Sequence, residues 1–424
     1  MDNTVYWIWL SLACTPGTAT FPRLIEKFKT AKDIYDADIK SITRCIDPRS
    51  SDRNKLIDKS LDKACEIFEF CSNKGIGMLV YGDKSYPSAL KGIKSPPVML
   101  YYRGVLPDFN KGFYVSVVGT RSISDYGRKN AFKIAYDLAT VGATIVSGMA
   151  MGIDGISHAA ALEAGKTTVA VLGSGIDVCY PAPHLSLARS IVKQGCILTE
   201  FPPHTPPAKS NFPIRNRIIS GLSALTIVIE GKEKSGARIT ASYATEQGRD
   251  VYALPGNIGT EHSEITSLLL KNGAKAVTSA DDIVRDYQDK YPGMINPFNL
   301  KTTFTVDIMS VLSKYSVVAV ASGDDIFPSP RKQKGNYKYP GKQQARYAKE
   351  EQEKEVVSDS VIEAKFDSKT FNIYKKIPME GDCSVESLMD SETNLREVMR
   401  CLLCLEMGNF IAMLPGERVS RKIK

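Results

Sequence analysis

At residues 147–154 the chain reads Ser147-Gly148-Met149-Ala150-Met151-Gly152-Ile153-Asp154. Residues 144–146, which precede this stretch, are β-branched and apolar and predict a short buried strand. Residues 156–164 place apolar side chains at helical spacing, and the glycine at 165 predicts the end of that helix. A turn that enters a helix holds unpaired N–H groups and the positive end of a dipole, and glycine lets a ligand approach closely. The stretch therefore predicts an anion-binding turn.

Two similar turns flank this one in sequence. Gly119-Thr120-Arg121 follows a predicted strand at residues 114–118, and Gly173-Ser174-Gly175 follows another at residues 168–172. Because the carboxyl ends of parallel strands meet at one edge of a sheet, three such turns predict one phosphate-binding edge.

Strands and helices alternate from residue 113 to about residue 286. Near-continuous apolar strands with helical crossovers are typical of a parallel sheet covered on both faces. We therefore predict an α/β fold with an extended, Rossmann-like, doubly wound and mostly parallel sheet. The predicted strands are 114–118, 144–147, 168–172, 196–199, 225–229 and 251–253, and the predicted helices are 127–141, 156–164, 184–193, 214–220, 239–247 and 264–272.

Smaller units are predicted on either side of this sheet. Residues 1–73 have helical patterning, and residues 328–357 are rich in Lys, Gln, Arg and Glu with hardly any aliphatic side chain, which predicts a flexible linker. Beyond residue 367 the order helix, strand, Pro-Gly turn and strand is typical of a winged helix. We expect a helical domain at 1–75, the sheet domain at 76–290, a basic flexible linker at 291–360 and a winged helix at 361–424.

The composition is that of a globular protein. A length of 424 residues predicts two or three domains, and 43% hydrophobic and 24% charged residues are ordinary values. The net charge of +8 is compatible with a polyanionic partner without establishing one. No apolar run approaches a membrane span, and nine scattered cysteines predict reduced thiols. We expect a cytoplasmic protein without membrane contact or cofactor. We also expect no metal, because the spacing of Cys401 and Cys404 lacks a second cysteine pair.

Charged side chains accompany the predicted edge. Arg121 is suited to clamp a phosphate. Arg215, Asn216 and Arg217 fall in the first turn of a predicted helix, where cations are misplaced unless an anion binds. One of these arginines can instead pair with Glu230, which ends a predicted strand. The segment Ser235-Gly236-Ala237-Arg238 predicts a further anion-binding turn.

Two acidic positions invite a catalytic interpretation. Asp154 and His158 stand four residues apart at a helix start, and we favour a capping carboxylate and a half-buried histidine that hydrogen-bonds the turn. Glu230 has no obvious second carboxylate, which acid–base catalysis on a sugar bond requires. The pattern therefore favours binding over catalysis.

An ordered set of motifs resembles the bacterial DprA (Smf) family of DNA-processing proteins. The N-terminal helices suit the sterile-alpha-motif-like domain of that family, and the C-terminal segment resembles its winged helix. The motifs that carry the resemblance are residues 117–127, 147–154 with His158, 175–181, 212–223, Glu230, Ser235-Gly236 and 248–256.

The resemblance implies a single-stranded DNA-binding protein, not an enzyme, that protects incoming DNA and loads the RecA recombinase during natural transformation. It also implies a homodimer formed through the Rossmann-like domain. Tyr180 is the candidate for base stacking, and Asp154, His158 and Glu230 are expected to organise the site. The predicted phosphate-binding residues are Gly119, Thr120, Arg121, Ser122, Ser147, Gly148, Met149, Gly152, Ser174, Gly175, Arg215, Asn216, Arg217, Ser235, Gly236 and Arg238.

Two departures from the family pattern and two alternatives stay open. Ala182 stands where a basic residue often follows Tyr-Pro in the family, which affects one phosphate contact. Residues 263–267 replace a usual Gly-Thr-Asn, which affects the local turn and a dimer contact. A nucleotide-binding enzyme of the phosphoribohydrolase type would also suit this edge, although the chain lacks the Pro-Gly-Gly-x-Gly-Thr turn of such enzymes. The winged helix, with Arg396 and Arg400, could instead be the main reader of DNA.

Overall fold

Short helices occupy the first 73 residues of the computed structural model. The structure describes residues 2–300, 304–316, 368–378, 382–389, 411–414 and 418–421 and the single positions 398, 401, 402 and 405. The chain divides into two compact units, residues 1–333 and 334–424. The first helices are α1 (Asn3–Ala13), α2 (Thr20–Phe28), α3 (Ala31–Asp36), α4 (Ile39–Thr43), α5 (Asp52–Ile57) and α6 (Asp62–Asn73).

A nine-stranded sheet forms the centre of the first unit. Its strands are β1 (Gly77–Val80), β2 (Met99–Gly104), β3 (Tyr114–Val118), β4 (Thr144–Ser147), β5 (Thr168–Val171), β6 (Cys196–Thr199), β7 (Leu225–Val228), β8 (Asp250–Ala253) and β9 (Lys275–Ala276). The spatial order is β1-β2-β6-β5-β4-β3-β7-β8-β9. Strands β3 to β9 pair in parallel, as predicted. Strands β1 and β2 extend the sheet antiparallel beyond β6.

Helices follow the strands in the alternation that the sequence predicts. They are α7 (Ser88–Lys91), α8 (Asp125–Thr140), α9 (Ile153–Glu163), α10 (Leu185–Gln194), α11 (Asn211–Gly221), α12 (Gly236–Glu246), α13 (Glu264–Lys271) and α14 (Ala280–Tyr287). Helix α9 packs against α8 and α10, and α11 packs against α12.

Two apolar clusters cover the two faces of the sheet. Val117 and Ile145 face a cluster that holds the buried sides of α8, α9 and α10 together with the N-terminal helices. Their neighbours Val118 and Val146 belong to a second cluster with Ile218 of α11 and the buried side of α12. Successive residues of a strand point to opposite faces, so this division is that of a doubly wound sheet.

The strand order reverses between β3 and β7. From β3 the chain adds β4, β5 and β6 on one side, and it then returns to add β7, β8 and β9 on the other. Ligands of doubly wound folds bind at the carboxyl edge of the sheet near this reversal. The loops that follow β3, β4, β5 and β7 therefore form the candidate site.

The first part of the predicted flexible linker is folded, which corrects that prediction for residues 304–316. Helix α15 (Ile308–Ser316) packs against α9 and α10. Val311 and Tyr315 are buried there, and Phe304 contacts the rings of Phe132 and Tyr136. The linker-like residues 328–357 lie outside the described residues.

The second unit has its own apolar core. Helix α16 (Ser368–Lys376) is described with strands β10 (Asp382–Ser384), β11 (Ile411–Leu414) and β12 (Arg418–Arg421), which form a sheet in the order β10-β12-β11. Strands β11 and β12 pair antiparallel, whereas the predicted Pro-Gly turn between them and most of the predicted helix before them lie outside the described residues. Cys401 is buried in this core, as predicted, and Cys404 is not among the described residues.

Candidate functional site

The loops after β3 and β4 contact each other through their backbones. Gly152, just before α9, has a φ of +83°. The amide of Ile153 donates a hydrogen bond to the carbonyl oxygen of Thr120, at 3.2 Å. A Cβ on Gly152 would overlap that same oxygen and lie 2.8 Å from Cα of Arg121. Gly152 therefore fixes the position of the Arg121 backbone.

Replacing Gly152 by alanine should destabilise the fold and displace Arg121. The backbone of Gly152, at φ +83° and ψ −132°, is one that few residues other than glycine adopt, and it alone costs an alanine about 1–3 kcal/mol. The overlap with Thr120 and Arg121 should add about 2 kcal/mol, because backbone atoms cannot move aside cheaply. Urea unfolding measures the loss. Gly165→Ala is the matched control, since its φ is +70° and a Cβ there meets nothing within 4 Å. Equal losses for the two variants would contradict the contact.

Glu230 occupies the crevice between the loops after β3 and β7. Its carboxylate accepts hydrogen bonds from the amide of Ser124 at 3.2 Å and from the Ser124 hydroxyl at 2.5 Å, at the start of α8. Its carbonyl oxygen accepts from the amide of Thr120 at 2.9 Å. Gly127 leaves no room for a Cβ beside this carboxylate. The backbone of Glu230 thus takes the amide of Thr120, which the sequence assigns to a phosphate, while its carboxylate is held at the start of α8.

Asp154 holds the turn after β4 in a similar way. Its carboxylate accepts from the amides of Gly148 and Ala150, at 3.2 and 3.4 Å. Burial raises the pKa of Asp154, and the positive charge of Arg215 together with these hydrogen bonds acts in the opposite direction. The turn is therefore built around a carboxylate before any ligand arrives.

Asp177 holds the turn after β5. It accepts from the amide of His204 at 2.7 Å, and its other oxygen lies 2.6 Å from Nδ1 of that histidine. The hydrogen bond with Asp177 raises the pKa of His204 against the opposing effect of burial. Burial opposes ionisation of Asp177, but the hydrogen bonds from His204 outweigh it and lower its pKa. The ring of His204 also contacts Phe70 of α6, at 4.5 Å between centroids.

Replacing His204 by glutamine should make stability less dependent on pH. Because folding raises the pKa of His204, its stabilisation is complete below the ordinary histidine pKa of about 6.5 and is lost as pH rises through the folded value. Asp177, whose pKa is lowered, stabilises above the ordinary aspartate value and loses this effect in acid. We expect the difference in urea midpoint between native protein and variant to be larger at pH 6 than at pH 8.5. A difference that does not change with pH would contradict the ion pair.

Arg215 ties three elements together beneath the edge. It is buried, and its guanidinium donates to the carbonyl oxygens of Gly148, at 2.8 Å, and of Val171. Burial lowers the pKa of Arg215 to about 10, so it stays protonated at neutral pH. Asn216 accepts from Nε of Arg215 at 3.1 Å and donates to the carbonyl oxygen of Gly236. These two side chains stabilise the loops from inside the protein, whereas the sequence predicts that they bind phosphate.

Arg217 lies in a buried ion pair with Glu200, the residue that directly follows β6. Its guanidinium meets both carboxylate oxygens of Glu200, at 2.6 and 2.7 Å, and its Nε donates to the carbonyl oxygen of Ser95. The partner is Glu200, so the pairing with Glu230 considered from the sequence is wrong. One turn before Arg217 on the same helix, the Ile214 side chain lies against Gly17, where a Cβ on the glycine would be 3.3 Å away.

One arginine and two aromatic rings form a cluster at the edge, hereafter the edge cluster: Arg121 and Tyr180, which are exposed, and Phe212, which is half-buried. The Arg121 guanidinium lies over the Phe212 ring, 5.4 Å from its centroid. The ring of Tyr180, which is 39% exposed, is 5.4 Å from Phe212 and inclined by 31°. Phe212 is not among the residues predicted from the sequence. It is the second residue of α11, and Arg215 and Arg217 lie in the second turn of that helix, not in the first turn as predicted.

The other predicted residues lie at different depths. Ser147, Gly148, Met149, Ser174, Gly175 and His158 are buried. The hydroxyl of Ser147 donates a hydrogen bond to the carbonyl oxygen of Val117. Nδ1 of His158 is hydrogen-bonded to the hydroxyl of Thr168, at 2.7 Å. Burial lowers the pKa of His158 to about 3, so it is a neutral core histidine. Gly236 and Arg238 are exposed at the start of α12, where Arg238 pairs with Glu233 at 3.2 Å.

Catalytic and metal chemistry find little support in this geometry. Glu230, the carboxylate considered above for catalysis, is buried and accepts two hydrogen bonds from Ser124. Within the described residues, no group of His, Cys, Asp and Glu side chains is placed to hold a metal ion. No helix in the described ranges is both long enough and apolar enough to traverse a bilayer.

The fold and this edge define a class of doubly wound α/β proteins that present a cation and aromatic rings at the strand ends. The sequence matches the family described as DNA recombination-mediator protein A over residues 77–288, which include the whole nine-stranded sheet. The chain belongs to this family.

Two named relatives and one solved structure show how far the similarity extends. The chain is 39% identical over 242 residues to the DNA processing protein DprA of Bacillus subtilis, covering 57% of this chain and 82% of that protein. It is 43% identical over 206 residues to DprA of Streptococcus pneumoniae, covering 49% and 72%. The X-ray structure of DNA processing protein A from Streptococcus pneumoniae matches with a TM-score of 0.59 and 33% identity, covering 68% of this chain and 99% of that one.

Proposed function

We propose that this chain binds single-stranded DNA along the carboxyl edge of its sheet. The observation that carries the proposal is the edge cluster, in which the exposed Arg121 guanidinium lies 5.4 Å from the centroid of Phe212 beside Tyr180. An arginine binds a phosphate through two N–H groups, and an aromatic ring stacks on a base. Membership of a family of recombination mediators agrees with a nucleic-acid ligand.

The chemistry of the edge cluster favours a single strand over a duplex. A ring can stack on a base only when the base face is accessible, and in a duplex that face is covered by neighbouring base pairs. The edge cluster offers two rings and one guanidinium, which are not the row of side chains along one helix that reads a major groove. In this proposal Arg121 contacts phosphate, Phe212 and Tyr180 contact bases, and Arg215, Asp154 and Glu230 hold the loops that carry them.

The contact set differs from the sixteen residues predicted from the sequence. Gly119, Gly152 and Gly236 stay as backbone contacts, because they are at least partly exposed. The amides of Thr120 and Ser122 already donate within the protein and are not included. Arg217, Ser147, Ser174 and Gly175 are not included, since they are buried and take part in internal hydrogen bonds. Arg238 stays as a contact that would exchange Glu233 for a phosphate.

Fluorescence anisotropy with labelled 20-nucleotide oligonucleotides tests the proposal. The native protein should bind single-stranded DNA at least tenfold more tightly than a duplex of the same sequence, by the stacking argument. Affinity should fall as a power of the salt concentration, with an exponent of about −0.7 per phosphate contacted. Equal affinity for both DNAs would place the contact elsewhere in the chain and overturn the proposal.

We further propose that the chain protects the bound strand, acts as a homodimer through the sheet domain and loads RecA, with a sterile-alpha-motif-like N-terminal domain and a C-terminal winged helix. The resemblance to the DprA (Smf) family supports these assignments. Light scattering tests the dimer, and nuclease digestion of a bound oligonucleotide tests protection. Loading predicts that RecA hydrolyses ATP sooner on DNA that carries a competing single-strand binder when this protein is added.

A further inference from the structure

A half-open apolar pocket lies at the same edge, on the side of the α9 and α10 helices. Its volume is about 140 Å³. It lies between the start of α9, the loop after β3 and helix α15. The lining residues are Ile123, Met151, Gly152, Gly155, Ile156, Ala159, His184, Leu187, Leu312 and Tyr315.

One polar group is presented among these apolar walls. Nδ1 of His184 lies 2.9 Å from the carbonyl oxygen of Met149. A carbonyl oxygen can only accept, so Nδ1 carries the hydrogen and Nε2 keeps its lone pair. The ring edge with Nε2 lies beside Gly155, where a Cβ would come within 3.0 Å of that nitrogen. The pocket therefore offers a hydrogen-bond acceptor and no charge, and burial, which lowers the pKa of His184, keeps the ring neutral.

The pocket adjoins Arg121. Gly152 lines the pocket, and a Cβ on it would lie 2.8 Å from Cα of Arg121. Ile123, two residues further along the same loop, lines the pocket as well. Met151 is 44% exposed and forms the rim. The pocket thus adjoins the backbone of Arg121, whose side chain belongs to the edge cluster.

We propose that this pocket takes one pyrimidine base of a single strand whose phosphate is held by Arg121. The proposal rests on the proposed function. Apolar cavities of about 150 Å³ hold one six-membered ring, as benzene in an engineered cavity shows. A pyrimidine presents an N–H donor to the acceptor of His184, from N3 of thymine or the amino group of cytosine, and its faces meet apolar side chains. The base on the other side of Arg121 would stack on the edge cluster.

Two pocket variants test the proposal with a base-bearing and a baseless ligand. Ala159→Leu fills the pocket, and Met151→Ala removes its rim without adding bulk. Anisotropy compares 15-nucleotide oligothymidine with an abasic oligonucleotide of the same length and charge. We expect each pocket variant to lower affinity for oligothymidine about five- to tenfold, the loss typical of one stacked base. Affinity for the abasic strand should not change. Met294→Ala is the matched control, since Met294 is 39% exposed and lies outside the pocket.

The possible failures are distinguishable. If oligothymidine does not bind native protein, or binds the Arg121→Ala variant equally well, the proposed function fails. If both of those tests succeed while the pocket variants keep the native ratio of the two affinities, the pocket proposal alone is wrong. Photocrosslinking of an oligonucleotide with 5-iododeoxyuridine gives direct evidence. We expect adducts on Met151, His184 or Tyr315, and adducts confined to other residues would overturn the proposal.

Discussion

Replacing Arg121 by alanine should weaken binding of a single-stranded oligonucleotide by about ten- to a hundredfold. A hydrogen bond to a charged group contributes about 1.5–3 kcal/mol, and each 1.4 kcal/mol is a factor of ten. Arg121 is exposed and faces Phe212, so its loss removes both a phosphate ligand and a partner of the stacking ring. The salt dependence of log K should also become shallower by about 0.7, the value for one phosphate contact on a single strand.

Two variants separate this local role from a general effect of charge. Arg285→Ala removes one positive charge from α14, where Arg285 is 65% exposed and pairs with Asp281 and Asp282, and it should leave affinity within about twofold. Arg121→Lys keeps the charge without the planar fork and should recover only part of the affinity. If Arg121→Ala and Arg285→Ala weaken binding equally, only net charge matters and the edge cluster is not the contact.

Removing Glu200 should be the most destabilising change among the charged residues discussed here. Glu200→Ala leaves the Arg217 guanidinium buried without its carboxylate, and removal of one partner of a buried ion pair typically costs about 3–5 kcal/mol. Urea unfolding at neutral pH should show a lower midpoint. We expect Arg217→Ala to cause a similar loss, because it leaves the carboxylate buried instead.

An apolar replacement of the whole pair makes this expectation specific. The double variant Glu200→Leu with Arg217→Met should recover most of the lost stability, since it leaves no buried charge. Lys32→Ala is the control for an exposed pair, because Lys32 and Asp36 are both about half exposed, and it should cost no more than about 0.5 kcal/mol. A double variant as unstable as Glu200→Ala would show that volume and packing, not charge, decide stability there.

The parallel core of the sheet was predictable because its signal is local. Residues 114–118, 144–147 and 196–199 are short apolar runs that end at turns, and each is a strand close to the predicted bounds. The antiparallel direction of β1 and β2 was not predicted, since it depends on pairing with β6 about a hundred residues away. The sequence places residues 304–316 in a linker. Their apolar side chains pack on helices that are distant in sequence, and a local pattern does not show such packing.

The candidate site was predicted in position but not in its internal contacts. Arginines in the first turn of a helix suggest an anion, and anions are present, but they belong to the protein. Glu200 meets Arg217, and the Arg215 charge faces Asp154. A sequence does not state which carboxylate reaches which cation when the two are brought together by folding. The half-buried ring of Phe212 was missed for the same reason, because only its contact with Arg121 distinguishes it from a core residue.

The carboxylates of Glu230, Asp154 and Asp177 have a consequence for the kinetics of exchange. Each holds a loop of the edge by hydrogen bonds within the protein, so the loops are ordered before a strand arrives. A strand that docks on ordered loops loses little loop entropy and gains few new loop contacts. Residence time then depends on the few exposed groups, which a competing protein can displace one nucleotide at a time. If the chain binds single-stranded DNA as proposed, such an edge favours short residence of the strand and its ready transfer to a competing protein.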